Sequence, residues 1–163
     1  MAIALLTLAL VGTLALLGAN LHGYLVPQAA LEMKRHFLYA LVTTTLLVMA
    51  HSFILFFLLA TGVEMKELEQ ARGWGDSFRR RTVALKSRVF PAATLTLLLV
   101  IANFVLGAAA HTRALPAWTH EVLAWLTFAA CLYTLWREYQ ALGINNQLID
   151  EAARRRSAPS EPA

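Results

Sequence analysis

Charge is scarce in this sequence, and it is missing from the places where it would be most costly. Only 15% of the 163 residues are Asp, Glu, Lys or Arg, against about 25% in soluble domains. None of them falls within four stretches, about Ala2–Leu21, Phe37–Val63, Phe90–Ala110 and Val122–Trp136. Cysteine is nearly absent as well. The single Cys131 excludes an intrachain disulfide and reads as a small buried apolar residue. There is no pair of carboxylates inside the apolar runs, no G-x-S-x-G, no H-E-x-x-H and no glycine-rich phosphate loop. The Gly73-Trp74-Gly75 turn is too short to serve as one. No independent enzymatic activity is therefore expected. Matching halves with Gly/Pro-interrupted spans, the mark of many transporters, are lacking too. Without an acidic residue in the apolar runs, a proton- or sodium-coupled carrier is not expected. Internal repeats, low-complexity segments and a heptad array are likewise absent.

What is present in excess is apolar sequence. A spanning helix needs roughly 20 mostly apolar residues. The four stretches meet that length if Trp118 and the turns beyond Trp136 extend the last one. The expectation is an all-α membrane protein, a four-transmembrane-helix bundle with spans at about 2–21, 37–63, 90–110 and 118–138. These occupy most of the chain and leave no separate soluble domain. The first span lacks a Lys/Arg n-region and is longer than a usual signal h-region, so it reads as a retained span. Cleavage near Gly18-Ala19-Asn20 is the alternative.

The net charge of +4 raises the question of nucleic acid, and its placement answers it. Of the fourteen Lys and Arg, Lys34, Arg35 and Arg113 lie in the first and third connections, and the other eleven lie in the second connection or after the fourth span. Arg79–Arg81 and Arg154–Arg156 are juxtamembrane clusters with no aromatic-basic platform beside them. The implied partner is a bilayer with anionic headgroups, together with other membrane subunits or a homo-oligomer, and not nucleic acid. The positive-inside rule places the 64–88 loop and both termini in the cytoplasm of a multi-pass inner-membrane protein. Trp118 then suits the outer interface and Trp136 the inner one.

Span two is expected to continue as a helix through Glu69 and to break at Gly73-Trp74-Gly75. Asp76 or Ser77 caps the next helix, a short amphipathic interfacial segment running into the third span. A helical cytoplasmic extension is expected over 139–156, followed by a disordered tail at 157–163 that contains two prolines.

The five histidines carry the functional signal. His22 ends span one, His36 opens span two, His111 ends span three and His120 opens span four. One end of a closed bundle would then hold four imidazoles, with Glu32 and Glu121 beside them. Neutral imidazole is the commonest metal ligand, so His22, His36, His111 and His120 form a candidate Zn or Cu site. The bland reading is four incidental interfacial histidines. His51 stands 15 residues beyond His36, about 22 Å deeper. Equal depth on the other spans gives Thr7, Thr96 and Thr134 as its expected neighbours. It is expected to hydrogen-bond there, or to serve as a proton-accepting site or an axial ligand. For haem b the candidate ligands are His51, His36 and His111. Asn103 with Thr43–Thr45 and Thr127 forms a second polar layer, read as packing contacts or as part of a hydrated path to His51. Two functions fit: a small haem- or metal-binding module or redox accessory subunit, and a non-catalytic scaffold subunit with structural histidines.

Overall fold

The computed structural model describes residues 1–25 and 30–157 and consists, over these, of four helices: α1 Ala2–Gly23, α2 Ala30–Arg72, α3 Ser77–His111 and α4 Ala117–Ser157. The expected tail beyond Ser157 lies outside the described residues, while Ser157 itself ends α4. The helices run antiparallel in sequence order. α1 packs on α2 and α4, α3 packs on the same two, and α2 and α4 meet across one diagonal. Three of them, Ala2–Gly23, Leu31–Arg72 and Ser77–His111, are long and apolar enough to cross a membrane. The fourth matches them in length, but its second half is charged, and Glu138 within it is buried.

The bundle carries many large apolar side chains on its outside, while its interior mixes small and polar residues with aliphatic ones. Leu10, Leu14, Phe53, Phe56, Leu98, Ile101, Leu126 and Leu132 point outward, whereas Ala9, Thr13, Ala50, Ala93, Thr96, Thr127 and Thr134 are buried. That inversion suits a lipid surround, where burial of Leu against Leu drives nothing and close packing of small residues does. Gly12 shows the closeness: a Cβ added there would lie 2.9 Å from Leu47 Cδ2.

The buried residues recur mainly at steps of three and four. On α4 they are Ala124, Thr127, Cys131, Thr134, Glu138, Ala141, Leu142, Asn145, Leu148 and Ala152. On α3 they run Phe78, Thr82, Leu85, Val89, Ala93, Thr96, Val100 and Asn103. A heptad-type seam is therefore present after all. It escapes a search for apolar repeats because its members are largely Thr, Ala, Asn and Glu.

Length sets the shape of the other end. α1 has 22 residues, about 33 Å, and α2 has 43, about 64 Å. α2, α3 and α4 thus continue beyond α1 as a three-helix extension. Its core of Met65, Phe78, Leu148 and Ala152, backed by Leu68, Trp74 and Ile149, draws nothing from α1. The turn between α2 and α3 uses Gly73 at φ +64 and Gly75 at φ +81, left-handed conformations that favour glycine. α3 runs unbroken through Pro91, so the expected short interfacial segment is the first part of one 35-residue helix. Its N-cap, Asp76, makes no side-chain cap bond. Glu69 of α2 caps it instead: the amides of Phe78 and Arg79 donate to its two carboxylate oxygens at 2.5 and 3.1 Å. A buried carboxylate at a helix N-terminus also meets the positive end of the helix dipole.

Candidate functional site

Two groups of titratable side chains lie in the bundle, one at its histidine end and one deep inside. At the histidine end, α1, α2 and α4 each contribute an imidazole. The rings of His22 and His36 lie nearly parallel with centroids 5.9 Å apart, and those of His36 and His120 stand edge-on at 6.5 Å. The fourth helix of the bundle, α3, contributes an absence. A Cβ on Gly107 would sit 2.9 Å from His120 Cε1, and one on Gly23 of α1 would sit 3.3 Å from His36 Cε1. Glycine at both places lets the rings lie against helix backbone.

A carboxylate orients the first ring. His22 Nε2 and Glu32 Oε2 are 3.0 Å apart, and the other oxygen of Glu32 accepts from Arg35 at 2.8 Å. With Nε2–H donating to Glu32, the lone pair of His22 lies on Nδ1. The Nδ1 atoms of His22, His36 and His120 are all buried and reached by no protein donor or acceptor. A carboxylate–histidine pair with the second ring nitrogen free is the arrangement found behind metal-bound imidazoles. Nearby, Tyr24 donates to Glu121 at 2.6 Å and accepts from Trp125 Nε1 at 3.0 Å, so Glu121 belongs to a separate network.

His111, expected in the same group, is exposed and lines an open cleft with Met33, Arg113 and Leu115. The structure thus brings together three of the four interfacial histidines. Among the described residues, no group of three or more His, Cys, Asp or Glu already stands at metal-ligand spacing. Two imidazoles on one tetrahedral ion have centroids about 5 Å apart, given zinc–nitrogen bonds of about 2.0–2.1 Å. The two ring pairs stand wider than that, at 5.9 and 6.5 Å. Haem fits less well. A porphyrin needs a slot at its axial ligand, and His36 and His120 are instead backed by helix backbone at Gly23 and Gly107.

The interior group corrects the sequence reading. His51 does not bond to Thr7, Thr96 or Thr134. Its Nδ1 lies 2.8 Å from Glu138 Oε1, and both side chains are 0% exposed. Thr7 is exposed and donates to the Ile3 carbonyl, while Thr96 and Thr134 hydrogen-bond to each other at 2.8 Å. The apolar interior therefore does hold a carboxyl group, which removes the ground for excluding proton chemistry. Two atoms of the pair, His51 Nε2 and Glu138 Oε2, are buried without a protein partner. An apolar cluster of Leu16, Leu47, Val100 and Cys131 lies on the histidine-end side. A larger one, including Ala9, Ala50, Ile54, Leu58, Val89 and Leu142, closes the other side.

Further polar levels flank the pair. Asn145 Nδ2 donates to Thr61 Oγ1 at 3.2 Å, with Asn145 Oδ1 unpartnered. The expected layer around Asn103 is present in part. Asn103, Thr43 and Thr127 are buried and Thr45 is exposed, with Asn103 Oδ1 unpartnered.

Fold and site together define an all-helical bundle with membrane-type apolar helices, an imidazole cluster at one end and a buried imidazole–carboxyl pair in the core. Compared with family models, curated proteins and solved structures, the chain matches none.

Proposed function

We propose that this chain is a four-span inner-membrane protein that binds a divalent transition metal, Zn or Cu, at its outer face through His22, His36 and His120. On this reading it serves as a metal-carrying accessory module and not as an independent enzyme. The observation that carries the proposal is the set of three buried Nδ1 atoms without protein partners, contributed by three different helices. Glu32 supports it by fixing the His22 tautomer. The fourth span is the apolar half of α4, roughly residues 118–138. Four crossings follow from the antiparallel order, and the Arg79–Arg81 and Arg154–Arg156 end is assigned to the cytoplasm on the positive-inside rule. Those arginines are exposed and suit anionic headgroups.

The test is metal stoichiometry on the full chain purified in detergent, stripped with chelator and titrated with Zn²⁺ or Cu²⁺. One tightly held ion per chain is expected, lost in His36→Ala and His120→Ala and retained in His111→Ala. Equal binding by the wild type and a His22/His36/His120 triple alanine variant would sink the proposal.

A further inference from the structure

Buried polar atoms without protein partners are few in folded proteins, because each one left dry is destabilising. Here they are not scattered. Among the described residues they comprise the Nδ1 atoms of His22, His36 and His120, then Asn103 Oδ1, His51 Nε2, Glu138 Oε2 and Asn145 Oδ1. All lie on inward-facing positions, and they succeed one another from the histidine end towards the basic end. Water entering at these levels would satisfy them, since a buried water makes about three hydrogen bonds to such groups.

Seven residues separate Asn103 from Thr96, and seven separate Glu138 from Asn145. Each interval is about 10 Å of helix, a distance that three to four waters in file would bridge at about 2.8 Å per hydrogen bond. The side chains between these levels are apolar, Leu16, Leu47, Val100 and Cys131 on the histidine-end side and Ala50, Ala93, Val89 and Ala141 around and beyond the pair, so water files through only as these side chains part. At the middle stands the one element of the file able to exchange protons within the membrane interior, His51 bonded to Glu138.

We propose that the bundle interior is a proton path in which the His51–Glu138 pair is the obligatory exchange site, with Asn103 and Asn145 holding water on either side. The inference rests on the four-span reading above and is independent of the metal. A proton taken up on His51 Nε2 gives an imidazolium. Its Nδ1 proton then crosses the 2.8 Å bond to Glu138 Oε1. Rotation of the carboxyl group presents that proton to the next polar level, where it leaves. The imidazole is left protonated on Nε2, and proton exchange through the adjoining water, Nε2 releasing its proton as Nδ1 takes one up, restores the starting tautomer. One proton enters, one leaves, and no electron moves.

The surroundings suit a single site of this kind. α1 carries no titratable side chain between its first residue and His22, and α3 carries none between Arg88 and His111. On α2 the titratable side chains between His36 and Glu64 are Tyr39 and His51. On α4, Cys131 is buried near the pair and Tyr133 and Tyr139 are exposed. Arg137 is engaged elsewhere, donating to the Arg88 carbonyl at 3.0 Å and lying over the Tyr133 ring. No cation therefore neutralises Glu138 permanently, and its charge depends on His51 and on the proton it exchanges.

The experiment is proton flux into liposomes of neutral and anionic phospholipid carrying the full-length chain. A potassium diffusion potential set with valinomycin drives the flux, and a trapped pH dye reads it. Wild type is expected to acidify the lumen faster than protein-free vesicles. Glu138→Gln keeps an acceptor for the His51 Nδ1–H and should fall to the protein-free rate while retaining wild-type elution on gel filtration. Should Glu138→Gln fail to insert, His51→Asn, which keeps an N–H donor towards Glu138, decides in its place. A wild-type rate equal to that of empty vesicles would overturn the proposal, as would a conservative variant conducting like wild type. Metal titration of the same preparations separates failure here from failure of the metal reading.

Discussion

Helix α2 holds the same side chain in opposite circumstances near its start and at its middle. His36 sits at the rim among other imidazoles, with Arg35 next to it in sequence and Glu32 four residues, about one turn, before it. His51 is buried with apolar clusters on either side of it and is bonded to one carboxyl group. At the rim, charge is shared among Glu32, Arg35 and His22, and solvent screens what is left. In the core the pair answers only to itself. The lesson is that imidazole placement alone says little about role. A rim cluster with free nitrogens recruits a ligand from outside, whereas a buried pair regulates its own charge.

That contrast is broken most severely at the core. His51→Leu leaves Glu138 buried without its partner, and removal of one member of a buried pair typically costs about 3–5 kcal/mol. The expected loss appears in denaturant unfolding in detergent. The His51→Leu/Glu138→Leu double variant should regain most of it, because the orphaned group is gone as well. A double variant no better than the single would show that the pair is not the source of the loss.

At the rim the same kind of deletion should act on affinity and not on the fold. Glu32→Gln removes the carboxylate behind His22, and outer partners of this kind are typically worth about 10–100-fold in metal affinity. The thermal midpoint should barely change. A variant that unfolds yet binds metal normally would reverse the assignment.

The smaller effects lie in the three-helix extension. Glu69→Ala removes the cap shared by the Phe78 and Arg79 amides and should cost about 0.5–2 kcal/mol, the usual worth of a helix N-cap. Arg81→Ala breaks the 2.6 Å pair with Glu151, but both side chains are half exposed. Such pairs contribute about 0–1 kcal/mol. Unfolding of the two variants side by side tests whether burial, and not bond length, sets the worth of a carboxylate here.

The four helices were legible from the uncharged runs, three of which fall in helices long and apolar enough to cross a membrane. The break at Gly73 and Gly75 was legible for the same local reason that the turn exists, two left-handed positions. The partner of His51 was not. Counting equal depth along straight helices arrives at Thr134, one turn short of Glu138. Trp136 and Arg137 signal an interface, so Glu138 falls on the last residue of the expected span, at its edge and not in its interior. The signal that identifies Glu138 is its register. It falls on the stripe of Thr127, Cys131 and Thr134 at steps of four, three and four, which turns it inward whatever its depth. Helix rotation decided the histidines too. His111 shares the rim with the other three in depth but not in direction, and depth was all that the spacing provided.

The most direct test of the account is to observe all five imidazoles in one experiment, by long-range ¹H–¹⁵N correlation on the full chain in detergent, before and after Zn²⁺ is added. The account predicts that the Nδ1 resonances of His22, His36 and His120 move together and saturate together, while His111 and His51 stay where they were. Movement of His51, or saturation of His111 in step with the others, would contradict the division between a rim that binds a ligand and a core pair that does not.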